Sequence, residues 1–193
     1  MELVKSTDWI LTKHRVIAKV YDMFGLLAVQ MQEYIKYHHN GLPAALDLIA
    51  PKISKGEQYE QLPWVVLDYP RIFSKSDVFA VRTFFWWGNY FSVSLQVKGK
   101  FLEPVVQTLL SPAVRQDFSR CYCSVSGDEF SFTLDGSAYL APGQWEALAA
   151  GDVKDYFKIS CRFALGEWET VDGLVMIFFD RLMTVLAGQL PMR

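Results

Sequence analysis

Nowhere in the chain do two glycines stand two residues apart, so a Gly-x-Gly phosphate or dinucleotide loop is absent. Gly-Lys-Ser/Thr, His-Glu-x-x-His, Cys-x-x-Cys, Gly-x-Ser-x-Gly and Ser-x-x-Lys are missing too. These absences exclude the common signature enzymes. The chain therefore reads as non-catalytic, with no cofactor and no metal. A large charge of one sign is also lacking: the formal net charge is −2, which argues against attraction of the whole molecule to nucleic acid or to an anionic membrane. The three cysteines, Cys121, Cys123 and Cys161, are an odd number without finger spacing. They read as small buried apolar residues rather than a disulfide framework or a metal centre. The first residues, MELVKSTDWI, hold no unbroken apolar run, and the apolar stretch near the other end is interrupted by Asp172, Asp180 and Arg181. A cytoplasmic setting away from membranes is the expectation.

What the sequence does have is apolar surplus. At 193 residues it suits one domain with a real core, and it is 51% hydrophobic and 15% aromatic. That surplus needs a thick core, a ligand cavity or a partner subunit. Charge is uneven along the chain: residues 51–100 balance at +3 and residues 101–193 at −5.

Periodicity places the elements. Residues 6–39 read as a helix with Trp9, Val16, Val20, Phe24, Leu27, Met31, Tyr34 and Ile35 on one side. His38 and His39 fall in its last turn, where a cation suits the helix dipole. A connector follows, holding at most one short helix over AALDLIA. Residues 64–69 read as a strand ended by Pro70, and residues 77–87 as a second strand. Gly88-Asn89 reads as a two-residue hairpin turn into a third. That register sets Arg82 opposite Leu95, on an apolar face with Phe84, Trp86, Phe91 and Val93. It leaves Phe85, Trp87 and Tyr90 on the other face. A helix is expected over residues 101–120, then a hairpin over CYCSVSGDEFSFTL turning at Gly127-Asp128, with Cys123 opposite Phe132. Residues 142–151 suggest a short helix. Residues 155–165 alternate with Phe157, Ile159, Cys161 and Phe163 inward and Lys158, Ser160 and Arg162 outward, and residues 169–187 form a last, very apolar helix.

The order α-βββ-α-ββ-α-β-α gives an α+β fold: a largely antiparallel sheet of about six strands with helices packed on it, and long helices at both ends of the chain. From residue 90 onward the order matches the ferredoxin-like arrangement. Two groups of residues stand out as candidates. A charge on an apolar face needs a partner, so Arg82 calls for Asp68 beside it, or with Arg71 for a substrate carboxylate or phosphate. The rings of Trp64, Phe85, Trp87 and Tyr90 have three candidate destinations: the chain's own first helix, a homodimer contact, or a small-molecule pocket. The functional expectation is a self-associating or protein-binding domain using that aromatic sheet face. The rival is a small-molecule binder or enzyme with an Asp/Arg site beside an aromatic pocket.

The run LPWVVLDYPRIFSKSDVFAVRTFFWWGNYFSVSLQVKGK, residues 62–100, resembles the central segment of a family of uncharacterised proteins from Bacteroidota. The resemblance covers about a fifth of the chain. It implies a bacterial cytoplasmic setting and no particular activity.

Overall fold

The computed structural model describes residues 5–38 and 41–191; His39 lies outside them. Helix α1 (Thr7–Tyr37) sends Ile17, Val20, Phe24, Leu27, Ala28, Met31 and Ile35 into the core. These positions recur every three or four residues, so they form one stripe. His38 caps the helix, its backbone N–H donating to the Tyr34 carbonyl at 2.9 Å. Six strands follow: β1 (Lys52–Tyr59), β2 (Leu62–Phe73), β3 (Val78–Trp86), β4 (Tyr90–Lys98), β5 (Tyr122–Ser124) and β6 (Tyr156–Ala164). Helices α2 (Leu102–Leu109) and α3 (Pro112–Arg115) lie between β4 and β5, and α4 (Val171–Leu186) closes the fold. The sheet order is β1-β2-β3-β4-β6-β5, and every neighbouring pair is antiparallel. This is the expected α+β architecture, with long helices near both ends. Among the described residues no helix is long and apolar enough to cross a membrane.

Helices α1, α2 and α4 share one face of the sheet. Val65 and Leu67 of β2, Phe79, Val81 and Phe85 of β3, Phe91 to Val97 at alternate positions of β4, and Phe157 and Ile159 of β6 meet them in one core. The very apolar α4 buries Val175, Phe178, Phe179, Leu182 and Met183 there. On the opposite face a second cluster forms around Val66, Phe84, Trp86 and Tyr90, capped by Phe132, Leu134 and Tyr139. The central strands are therefore buried on both sides: all nine residues of β4 but the last are inaccessible.

The register of the β3–β4 hairpin differs from the expected one. Three residues, Trp87, Gly88 and Asn89, form the turn, and Trp86 pairs with Tyr90, Phe85 with Phe91 and Arg82 with Ser94. Gly88 supplies the one positive φ, +72°, and the Asn89 side chain donates to the Trp87 carbonyl at 2.9 Å. One extra turn residue reverses the parity of β3 relative to β4. Phe79 and Phe85 thus join the helices, and Arg82 leaves the apolar face for a polar one. The physical reason is charge: the expected register would sink Arg82 among Phe91, Val93 and Leu95, whereas the observed one sets it opposite Asp68 and Ser94.

Other elements also depart from expectation. Strand β1 lies in the presumed connector. Its sequence KISKGEQY carries no apolar alternation because it is an edge strand, mostly exposed or half-buried. Pro70 does not end β2; the strand runs through it, with the pairing to β3 irregular between Asp68 and Arg71, the place where a missing N–H is tolerated. The hairpin at Gly127-Asp128 does not form. Only Tyr122–Ser124 is strand, pairing with β6, and residues 126–139 cross the second sheet face as an irregular strap until Leu140 bridges back to Cys123. Alternation in FSFTL reflects one buried side of an extended segment, not a ladder partner. The ferredoxin-like order is lost with that hairpin. The helix expected over residues 142–151 is a series of turns, in which buried Trp145 donates to the Cys121 carbonyl at 2.8 Å. Cys121 and Cys161 are joined by a disulfide, contrary to the reading of three free thiols. They are neighbours because β5 and β6 pair, with Cys123 opposite Ile159. Cys123 alone is free, and burial pushes its thiol up to about 12.

Two glycines test the turn geometry. Gly99 has φ +65°, and a Cβ there would run into the Ser76 carbonyl and the Asp77 carboxylate that accepts the Lys100 N–H. Gly88 has φ +72° but open space around it. Gly99→Ala is expected to cost about 2–4 kcal/mol in urea unfolding, and Gly88→Ala only about 1 kcal/mol, the backbone penalty by itself.

Candidate functional site

The second sheet face is unusual in being both buried and polar. Asp68, Ser92, Ser94, Gln96, Lys158 and Ser160 are all buried there, and Arg82 nearly so. Parity explains the set. Alternate residues of β3, β4 and β6 point away from the helices, and the strap rather than solvent covers them.

Three interactions organise the face. Arg82 Nε donates to Asp68 Oδ1 at 2.7 Å, and its guanidinium lies 5.0 Å from the centre of the Phe132 ring. Lys158, fully inaccessible, donates to the Ser131 carbonyl at 2.6 Å and to the Glu129 carbonyl at 3.4 Å, with its amine 4.4 Å from the Phe132 ring centre. Phe132 is stacked on Phe84 at 4.1 Å, the ring planes 11° apart. Phe132 thus has the Phe84 ring against one face and both cations within 5.0 Å of its centre, close enough for cation–π attraction. Around this centre Glu129 accepts from Gln96 and Lys98, each at 3.1 Å, and Asp135 takes two bonds from Arg162 at 2.7 and 2.8 Å.

Burial pulls the Lys158 amine far below its ordinary value, to about 7, and the nearby Arg82 charge adds to the effect; the Asp128 and Glu129 carboxylates oppose it. Tyr139, whose hydroxyl shares the Ser131 carbonyl at 2.8 Å, is pushed well above the usual phenol range by burial. Tyr90 is pushed up to about 12, again mainly by burial.

The seven candidate residues do not form one site. Trp64, Asp68, Arg82 and Tyr90 share the second face, with Trp64 packed over Gly56 and 6.2 Å from Phe84. Arg71 is turned to the Ala50 carbonyl, 2.9 Å away. Phe85 and Trp87 belong to the helix side: Phe85 is buried against Phe91 and Trp168, and Trp87 is half-buried with its edge against Trp9, 6.2 Å off. A groove of about 380 Å³ between α2 and the turn at residues 150–153, and another of about 320 Å³ beside the disulfide, are lined by none of the seven. Among the described residues no three His, Cys, Asp or Glu side chains gather as a metal site. The sequence pointed outward for Lys158 and gave no sign of Tyr59, Glu129 or Phe132. The available signal was a lysine flanked by inward aromatic and aliphatic residues on a strand whose outer positions are otherwise serine and arginine.

No protein-family model, no curated protein and no solved structure matches this chain.

Two outcomes follow from the buried charges. Arg82→Ala strands the Asp68 carboxylate and is expected to cost about 3–5 kcal/mol, while the double change Asp68→Leu with Arg82→Met should cost well under half of that; denaturant titration of the three chains compares them. For Lys158 the folded value lies below the ordinary 10.5. Between the two values the unfolded chain holds the extra proton, so stability rises with pH above about 7 and is flat below it. Between pH 7 and about 8.5, before ionisation of the Cys123 thiol in the unfolded chain offsets the trend, the slope should approach 1 kcal/mol per pH unit, and Lys158→Met should abolish it.

Proposed function

We propose that the protein is a non-catalytic, self-associating domain whose contact surface is the solvent side of α1. The observation that carries this reading is the exposure of Ile10, Leu11, Tyr21, Leu26, Val29 and Tyr37 along that 31-residue helix, with Leu26 at 68% and Tyr37 at 75% of full exposure. A run of large apolar side chains on one element is the surface feature that a partner most often covers. The sheet aromatics no longer serve, since Phe85 and Tyr90 are buried within the chain itself. A second copy is the favoured occupant. The exposed charges of that helix are of both signs, with Asp8, Arg15 and Lys19 in its first half, Asp22 at its middle and Glu33 and Lys36 in its second, so two such helices, each about 46 Å long, can pack without opposing blocks of like charge.

The small-molecule reading at Asp68 and Arg82 has weaker support, because each satisfies the other beneath Phe132. The disulfide speaks for an oxidising setting over the cytoplasmic one, where reducing thiols keep such bonds open.

Sedimentation equilibrium at tens of micromolar tests the proposal. The natural chain should sediment at twice its mass. Leu26→Glu combined with Val29→Lys should sediment as a monomer with unchanged far-ultraviolet circular dichroism. A monomeric natural chain overturns the reading.

A further inference from the structure

The strap is held in an uncommon way. Between residues 128 and 139, among the described residues, no main-chain hydrogen bond joins it to a strand. Side chains read its backbone instead. The Phe132 N–H donates to the Tyr59 hydroxyl at 2.7 Å, the Tyr90 hydroxyl donates to the Phe132 carbonyl at 2.7 Å, and the Leu134 N–H donates to the same Tyr90 oxygen at 2.9 Å. Lys158 takes the Ser131 carbonyl. A single ring, Phe132, fills the slot over Phe84, and carboxylates three residues before and after it, Glu129 and Asp135, meet Lys98 and Arg162.

An ordinary covering loop buries apolar side chains and leaves its peptide groups to water or to its own turns. The strap has turns of its own, closed by the Ser131 N–H on the Asp128 carbonyl and the Gly136 N–H on the Thr133 carbonyl, but between them the sheet supplies partners for the peptide groups of Ser131, Phe132 and Leu134, an aromatic slot and two flanking cations. That is the inventory of a peptide-recognition groove: main-chain bonds for affinity, a side-chain pocket for specificity, and charges that fix register. In the two ion pairs that join sheet to strap, the cations Lys98 and Arg162 belong to the sheet and the carboxylates Glu129 and Asp135 to the strap, while Arg82 is paired within the sheet to Asp68. Ser92 Oγ and Gln96 Oε1 add buried polar atoms on that face with no partner among the described residues.

We propose that this face is a binding groove for a polypeptide segment bearing an aromatic residue with a carboxylate three positions to either side, and that residues 128–135 occupy it in cis as a stand-in for that segment. The partner displaces the strap, which swings out on its two ends. Lys158 favours this exchange at neutral pH, since lifting the strap lets the amine regain water and a proton; the groups facing it are Arg82 from β3, Asp128, Glu129 and Tyr139 from the strap side, and the Phe132 ring. This surface is separate from the outer side of α1, and dimerisation through α1 does not bear on it.

The test uses a fluorescent synthetic peptide of residues 126–137 and the full-length chain. Intramolecular competition at an effective concentration of about millimolar masks the groove in the natural chain. Phe132→Ala empties the aromatic slot, and that chain should bind the peptide about tenfold or more tightly than the natural chain does. A peptide carrying Ala at the Phe132 position should not bind. One with Gln and Asn for Glu129 and Asp135 should bind more weakly and lose its salt dependence. Equal binding of the aromatic and Ala peptides, or none by the Phe132→Ala chain, overturns the proposal. Should that chain fail to fold, Glu129→Gln with Asp135→Asn replaces it under the same criteria. Hydrogen exchange of the natural chain gives an independent reading: the Phe132 and Leu134 amides should exchange through an opening that leaves β3 and β4 protected. Their exchange only together with β3 and β4 would mean that the strap is fixed cover, and the proposal fails.

Discussion

A sheet buried on both faces must find partners for both parities of its central strands, and this demand shapes the whole molecule. One face of β3 and β4 is met by long regular helices, whose apolar stripes are continuous and fill the space against Phe79, Phe85 and Phe91. The other face carries serines, a glutamine, an arginine and a lysine among its rings, and a helix stripe could not satisfy those groups. An irregular segment can, because its free carbonyls and carboxylates are distributed along its length. The division of the molecule into a dry helical side and a polar strap side follows from the residue types at alternate positions of four strands.

The one-residue length of the Trp87–Asn89 turn beyond the minimal hairpin selects between those sides. It sends Phe79 and Phe85 of β3 toward the helices and Phe84 and Trp86 toward the strap, and it gives Arg82 the Asp68 carboxylate on the neighbouring strand. A shorter turn would exchange the two sets and leave a guanidinium in hydrocarbon. The buried pair contributes little net stability by itself; its influence lies in making the alternative register prohibitive.

Much of this was legible in the residues. The α1 stripe from Val20 to Ile35, the strand parities of β4 and β6, and the need for Asp68 beside Arg82 all follow from periodicity and from the cost of a lone buried charge. Strand β1 was not legible, because an edge strand with both faces half-wet carries no alternation to read. The strap was misread for the opposite reason: FSFTL alternates as a strand would, since its side chains face alternately the sheet and water, yet its backbone is bound by Tyr59, Tyr90 and Lys158. Hydrophobic pattern reports which side chain is covered, and is silent on what holds the peptide group. Turn length carries too little sequence signal for Gly88-Asn89 to distinguish two residues from three. The groove residues were missed because outward-facing polar positions normally face solvent, and only the tertiary course of residues 126–139 makes them interior.

The placement of the two anchors below the strap has a geometric corollary. At one foot Cys121, just before β5, is bonded to Cys161, and at the other Leu140 bridges to Cys123 within β5, so both feet stand within three residues of each other. A segment rooted in that manner behaves as a closed loop with fixed circumference. It can lift as a flap without feeding slack into β6 or α3, and the cost of bringing its ends together is already met by the fold, so reseating depends on the side-chain contacts alone.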